Sequence, residues 1–342
     1  MTAMARSLIT VDLGAVRHNI RTLRGHLRSA ELWAVVKADG YGHGAADVGT
    51  AALEAGATTL AVATVDEALA LRDALPAARI VVMGPVLDKD IVQARDARFE
   101  ISWSADRLPA DIPIHLKLDT GMGRWGLSEL AQPGSNVVGL MSHFASADSD
   151  PSFTEAQLTR FLEGTVNHTH LPRHIANSAG TLRHPAAQLD AVRCGIAVYG
   201  ISPFGTDPAA DGLRPALRWE STVALTKTLE PGESTGYGRR YVASMPTRIG
   251  IVPVGYADGF RRDLTGTEIA VAGRRAKVVG TVSMDALAVA LPDGTGEGDL
   301  VTLVGEGVLL ESHAAVADTI AYELACGIVS RGTRATREVV NG

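Results

Sequence analysis

With 342 residues, 46% of them hydrophobic and 20% charged, the chain carries enough apolar material for a large core and has room for two domains. A formal charge of -6 without any Lys/Arg-rich run excludes the electrostatic footprint of a nucleic-acid or anionic-membrane binder. No apolar run reaches the ~18 residues of a spanning helix, and the first dozen residues hold no sustained apolar stretch. Cys194 and Cys326 have neither metal-ligand spacing nor a disulfide framework, so a cytoplasmic enzyme or binding protein without a metal site is expected.

Short apolar runs recur through the first two thirds of the chain: Leu32–Val36, Leu60–Ala63, Ile80–Met83, Phe99–Trp103, Ile112–Leu118, Val137–Met141, His174–Ala176 and Val192–Val198. Most are followed by Gly, Ser, Asp or Thr and then by a helix-compatible segment. Asp66–Leu75, with acids in its first turn, and Phe153–Leu162 are the clearest of these. Eight strand–helix alternations within about 200 residues predict the α/β class, a closed (β/α)8 barrel spanning residues 11–217.

The composition changes after Gly200. Ser202–Pro208 is turn chemistry, a linker by its Pro, Gly and Asp content. Beyond it, Val-, Ile- and Thr-rich runs alternate with glycine turns at Trp219–Leu229, Arg248–Val254, Glu268–Val271, Ala276–Val282, Ala286–Leu291 and Leu300–Val304. Ala272-Gly273 and Pro292-Asp293-Gly294 read as hairpin turns. A mainly β second domain made of residues 1–10 and 218–342 is expected, with a helix near Ser312–Ala325 and a last strand near Arg337–Val340. Leu8–Val11 is expected to pair within it.

Active sites of such barrels lie at the C-terminal strand ends, and chemistry-bearing residues collect there. The first strand delivers Lys37, with Tyr41 close behind. The fifth, His115–Asp119, runs into a glycine-rich loop holding Arg124, and the sixth ends at His143. The seventh ends in Asn177-Ser178, and the eighth carries Arg193 and leads to Gly195-Ile196.

Singly, each has a bland reading. Lys37 is then a solvated strand-end charge, His143 a structural histidine, and Asn177-Ser178 a helix cap. Arg193 is harder to dismiss, because a guanidinium within an apolar strand must find partners. Jointly, an amine, two arginines, a histidine and small polar backbone at one rim fit a phosphorylated, carbonyl-bearing cofactor such as pyridoxal phosphate. A dinucleotide fingerprint, Gly121-x-Gly123-x-x-Gly126, is the rival. It lies in the fifth unit rather than the first, Arg124 and Trp125 crowd it, and no strand-ending acid follows at ribose distance.

The residues Ala34-Val35-Val36-Lys37-Ala38-Asp39-Gly40-Tyr41-Gly42-His43-Gly44 resemble the cofactor-lysine signature of the alanine racemases, fold-type III pyridoxal-phosphate enzymes. His115–Gly126 is similar to a second block of that family. Ser142–Ala145, Ala176–Ala179, Val192–Ile196, Gly236–Arg239, Val254–Gly259 and Ser283–Asp285 follow in family order, covering Leu8 to about Arg334.

The resemblance implies a pyridoxal-phosphate barrel and a β domain in a head-to-tail homodimer, each site combining the barrel of one chain with the β domain of the other. It implies that Lys37 holds the cofactor and that Tyr237 from the partner is the second base. Inversion at Cα needs a proton carrier on each face. Arg193 is implied to donate to the pyridine nitrogen. A guanidinium cannot hand its proton to the ring, so electron withdrawal stays weak and decarboxylation is suppressed.

By the same carry-over, Tyr41, Ser178, Gly195 and Ile196, with Asn177 close by, hold the phosphate. Arg124 meets the cofactor phenolate and the substrate carboxylate, together with the Met284 backbone. His143 joins Arg193 in the network beside Tyr237, and Tyr256 and Asp285 line the entrance. Lys117 matches a position that is carbamylated in many members. Val329–Arg334 and Ser283 depart from the family pattern.

The expected function is an isomerase interconverting L- and D-alanine and supplying D-alanine for peptidoglycan. A racemase of other or broader range, or a fold-related pyridoxal-phosphate decarboxylase, is the alternative.

Overall fold

Each of the eight expected runs forms a strand, because a segment apolar at consecutive positions buries both faces only inside a parallel sheet. The computed structural model describes residues 6–130 and 132–342. Among these, Glu31–Val35, Thr59–Val62, Ile80–Val82, Glu100–Trp103, Ile114–Lys117, Val137–Met141, Arg173–His174 and Ala191–Cys194 close a barrel in chain order. The first strand pairs in parallel with the eighth through Leu32↔Val192 and Trp33↔Arg193. Val65–Ala74 and Pro151–Gly164 realise the two expected helices. Thr64 and Glu67 form a capping box on the first, and Asp150 caps the second, whose Pro151 sits in the first turn.

The eighth strand is shorter than the run Val192–Val198. It stops at Cys194, and Ile196–Tyr199 winds into a 3-10 turn whose Ala197 N–H, like that of Gly195, meets Ser178 Oγ.

The chain divides into two compact units. Ala15–Phe204 with Asp211–Arg214 forms the barrel unit, and residues 6–14, Gly205–Ala210 and Pro215–Gly342 form the other. The second unit contains a nine-stranded sheet ordered Leu225–Leu229, Thr247–Val252, Leu287–Ala290, Arg274–Val279, Glu268–Val271, Leu300–Val304, Leu217–Thr222, Leu8–Asp12, Thr336–Val340. Leu8–Asp12 lies between Leu217–Thr222 (antiparallel) and Thr336–Val340 (parallel), so the N-terminal strand does pair within the β unit.

Three local readings change here. Trp219–Leu229 is two strands in separate parts of the sheet. The expected helix near Ser312–Ala325 is two, Leu310–Val316 and Ala321–Gly327, interrupted where Asp318 adopts φ 49°. Ala272-Gly273, both at positive φ, makes the hairpin between Glu268–Val271 and Arg274–Val279. Pro292–Gly294 makes only a local turn, because the strands it connects are not neighbours in the sheet.

Candidate active site

Lys37 follows the first barrel strand directly, and the backbone beyond it is unusual. Ala38, Asp39, Gly40 and Tyr41 all have φ between 49° and 62°, a left-handed turn. For L-residues that conformation costs about 1–2 kcal/mol each, and such strain collects at functional sites. Two acids brace it. Glu67, the capping-box residue, accepts from the Ala38 N–H at 2.7 Å, and Asp39 accepts from the Ala45 N–H at 2.9 Å. The result turns the buried Tyr41 ring inward against Tyr199, with ring centroids 4.9 Å apart.

The Tyr41 hydroxyl lies beside Gly195, where a Cβ would come within 2.4 Å of it. Ser178 Oγ accepts from the N–H groups of Gly195 at 3.0 Å and Ala197 at 3.4 Å. Tyr41, Ser178, Gly195 and the buried Ile196 thus gather at one corner, beyond the seventh and eighth strands. The Asn177 side chain caps its helix through the Gly180 N–H at 2.9 Å.

Arg193 is 2% exposed. Its guanidinium donates to His174 Nδ1 at 2.5 Å, Ser142 O at 2.6 Å, His143 Nδ1 at 3.2 Å and Ile175 O at 3.3 Å. Its Nε is buried with no hydrogen-bond partner among the described residues. An orphaned buried donor calls for an acceptor, which water or a ligand can supply.

Burial, and then the charges of Arg193, Lys117, Arg124 and Lys37, hold His143 well below the usual imidazole range. His143 is therefore neutral near pH 7, and with Nδ1 accepting from Arg193 it keeps Nε2–H as a donor.

Lys117, 3% exposed, is lowered to about 7 by desolvation and then by Arg193 and Arg124. Its ammonium and the Arg124 guanidinium share the Trp125 ring, at 4.8 Å and 4.1 Å from the centroid. Lys37, Arg124 and Arg193, joined by Lys117 when it is protonated, create a rim of positive potential suited to phosphate and carboxylate groups. The orphan Nε, the cradle beside Gly195 and this cationic rim all fit pyridoxal phosphate.

The dinucleotide reading fails on geometry. Asp119 accepts from the N–H groups of Gly121, Met122 and Gly123 at 2.9–3.2 Å, so that loop turns its donors to its own carboxylate. Among the described residues, the next helix begins only at Pro151.

In the β unit, Tyr237, Tyr256 and Met284 are 70%, 42% and 53% exposed. Their loops are tied together at the backbone. Thr281 Oγ1 donates to Tyr237 O at 2.8 Å, Tyr256 N–H to Ser283 O at 3.1 Å, and Ala257 N–H to Met284 O at 3.0 Å. Gly255 permits the approach, since a Cβ there would lie 2.2 Å from Ser283 O. Asp285 pairs with Arg334 at 2.8 Å, and Arg334 also binds Asp258. The departing segment Val329–Arg334 therefore ends in an anchor for these loops.

Family models of the alanine racemase N-terminal domain and the alanine racemase C-terminal domain match residues 11–203 and 216–336. The chain belongs to the alanine racemase family. It is 39% identical to an alanine racemase of Laribacter hongkongensis, over 95% of this chain and 97% of that one. An alanine racemase from D-cycloserine-producing Streptomyces lavendulae superposes with a TM-score of 0.91 at 36% identity, covering 99% of this chain and 98% of that one. The Bartonella henselae alanine racemase, solved with covalently bound pyridoxal phosphate, matches with a TM-score of 0.87 at 26% identity over 98% of this chain and 99% of that one.

As an alanine racemase, this chain is an isomerase that interconverts L- and D-alanine with pyridoxal phosphate as cofactor. These relatives do not favour the decarboxylase or the broader-range racemase. Among the described residues, no helix is long and apolar enough to cross a membrane. Motif reading passed over Glu67, Glu100, His115 and His174. The signal was present for the last two, as histidines within apolar strands.

Proposed function

We propose that racemisation proceeds by two bases, Lys37 on one face of the cofactor and Tyr237 of a second copy on the other, in a homodimer with shared active sites. Pyridoxal phosphate supplies the electron withdrawal that makes the alanine Cα proton removable. Lys37 would hold the cofactor covalently until the substrate amine takes its place, and its freed Nζ would then carry the proton. Arg193 directs Nε–H at the pyridine nitrogen while staying charged, for burial lowers it only to about 10. Tyr41, Ser178, Gly195 and Ile196 hold the phosphate, with Asn177 fixing the helix that carries Ser178.

Arg124 and the Met284 N–H orient the substrate carboxylate, and Tyr256 and Asp285 border the entrance. His143, donating through Nε2–H beside a cationic cluster, favours the phenolate of the incoming Tyr237. Lys117, an amine near 7, is neutral often enough to add carbon dioxide, its nitrogen giving up a proton to solvent, and the carbamate so formed would anchor Arg124. The barrel unit, Ala15–Phe204 with Asp211–Arg214, serves as the cofactor-binding part, and the β unit serves the other copy's site. In this reading the enzyme works in the cytoplasm, and its D-alanine goes to peptidoglycan.

The observation that carries this reading is the buried, acceptorless Arg193 Nε at the same rim as Lys37 and His143. The exposed cluster of Tyr237, Tyr256 and Met284 supports a second copy as its cover. Mixing inactive Lys37→Ala and Tyr237→Phe chains tests the shared site. Random exchange into dimers should restore about a quarter of wild-type sites, because half the dimers hold one intact pair. If both bases came from one chain, mixing would restore nothing.

A further inference from the structure

From Arg193 a hydrogen-bonded chain runs through the barrel interior, away from the site. Arg193 Nη1 meets His174 Nδ1 at 2.5 Å, His174 Nε2 meets His115 Nδ1 at 3.0 Å, and His115 Nε2 meets Glu100 Oε2 at 2.7 Å. Both histidines are fully buried. Arg193 and His174 stand on the eighth and seventh strands and His115 on the fifth. Glu100 opens the fourth strand at the opposite, N-terminal end of the barrel. There Arg79 clasps the carboxylate, Nε to Oε1 at 2.7 Å and Nη2 to Oε2 at 2.9 Å.

The chain admits one proton arrangement. A guanidinium only donates, so His174 must accept at Nδ1 and carry its proton on Nε2. His115 must then accept at Nδ1 and donate from Nε2, and a carboxylate is the terminus that can receive it. Every link points from Arg193 to Glu100. Charging either imidazole would set two N–H groups against each other, and burial independently disfavours both cations. At the terminus, burial works against the Glu100 charge, but the bonds from His115 and Arg79 hold its carboxyl at about 2.

The surroundings are shaped for this chain. Trp33 packs on His174 at 4.4 Å and edges His115 at 5.4 Å between centroids. A Cβ at Gly139 would lie 2.3 Å from His115 Nδ1, so glycine leaves the ring its place. Among the described residues, Arg193 makes no ion pair with a carboxylate, and Glu100 is the anion it reaches through two imidazoles.

We propose that Glu100 and His115 are positioning residues for racemisation: through His174 they fix the plane of the Arg193 guanidinium and hence the direction of its Nε–H. This rests on the proposed role of Arg193 toward the cofactor, and it assigns work to the end of the barrel usually concerned with stability.

The test reads histidine tautomers by long-range 15N NMR in the pyridoxal-phosphate-loaded enzyme, alongside steady-state kinetics. In the wild type, His115 and His174 should both be neutral with the proton on Nε2. A charged ring or an Nδ1–H at either position overturns the proposal. Glu100→Ala should scramble the His115 tautomer and lower kcat about tenfold, as loss of an outer histidine partner commonly does, with KM for alanine little changed. Glu100→Gln, whose amide oxygen accepts from His115, should restore both readouts. Arg79→Met should leave the tautomers and kcat near wild type.

A folded Glu100→Ala that matches wild type in both readouts refutes the idea, as does Glu100→Gln no better than Glu100→Ala. An Arg79→Met loss equal to that of Glu100→Ala would likewise refute it, making the effect structural. Should Glu100→Ala not fold, the wild-type tautomers and Glu100→Gln still decide. Tautomers are read whatever the turnover, so failure of the chain and failure of the two-base reading remain distinguishable.

Discussion

Replacing Gly195 by alanine probes the phosphate end of the proposed site with one added carbon. The new Cβ would stand 2.4 Å from the Tyr41 hydroxyl, and ordinary contact begins at 3.4 Å, so the hydroxyl must retreat by 1.0 Å (3.4 − 2.4). Retreat is resisted. Tyr41 is held at φ 52°, it is 6% exposed, and it leans on Tyr199, whose own hydroxyl donates to Val35 O at 2.9 Å. Overpacking of this kind costs about 1–3 kcal/mol. A hydrogen bond to a charged phosphate is worth about 1.5–3 kcal/mol, so the Kd for pyridoxal phosphate should rise about 10- to 150-fold.

The assay is titration of cofactor-free enzyme with pyridoxal phosphate, together with thermal unfolding. Tyr41→Phe alone should weaken binding with little loss of Tm. In Gly195→Ala/Tyr41→Phe the nearest remaining atom is the ring Cζ at 3.1 Å, so most of the stability should return. Wild-type affinity and Tm in Gly195→Ala would refute the reasoning, as would a double variant no more stable than Gly195→Ala.

Three further outcomes are expected. Borohydride reduction of the loaded enzyme should attach the cofactor to Lys37, and Lys37→Ala should lose that label by mass spectrometry; label moving undiminished to Lys117 would reject the assignment. Tyr237→Phe should keep Tm and bound-cofactor absorbance, since it removes only the hydroxyl and leaves the ring in place, while racemisation falls about 10²- to 10⁴-fold. Retained turnover would remove Tyr237 from the mechanism. Lys117 is lowered from 10.5 to about 7, so between those values the unfolded chain binds a proton that the native chain does not. Its contribution to stability therefore rises as pH climbs from about 7 to 10.5, and below 7 the full cost of charging a buried amine applies. In carbon-dioxide-free buffer Lys117→Met should be more stable than wild type at pH 6, with the gap closing toward pH 10.5; a pH-independent gap would contradict this.

Periodicity carried the fold a long way, because both elements of a β/α barrel are local: an apolar run buried on two faces, then an amphipathic helix. It failed where tertiary partners set the limits. Val192–Val198 is apolar apart from Arg193, yet only Ala191–Cys194 has a neighbour to pair with, and Ile196–Tyr199 winds into a 3-10 turn. Trp219–Leu229 reads as one strand, and only the sheet order reveals that its halves belong to different places.

The residue types at the rim were readable in the same way, since Lys37, His143, Asn177-Ser178 and Arg193 each close or occupy a strand. Their electrostatic states were not. Lys117 and Lys37 are both strand-end lysines by sequence, and only the tertiary structure shows that burial, and then the charges of Arg193 and Arg124, bring the Lys117 amine down to about 7.

The sequence by itself determined the barrel with its strands in chain order, the motifs and the cofactor class, because these depend on residue identity and spacing along one chain. Tertiary structure alone decided the left-handed turn after Lys37, the orphaned Nε of Arg193 and the one-way chain to Glu100. Hydrogen-bond polarity is a property of groups facing each other, and the four residues of that chain come from four strands, 15 to 59 positions apart at each link.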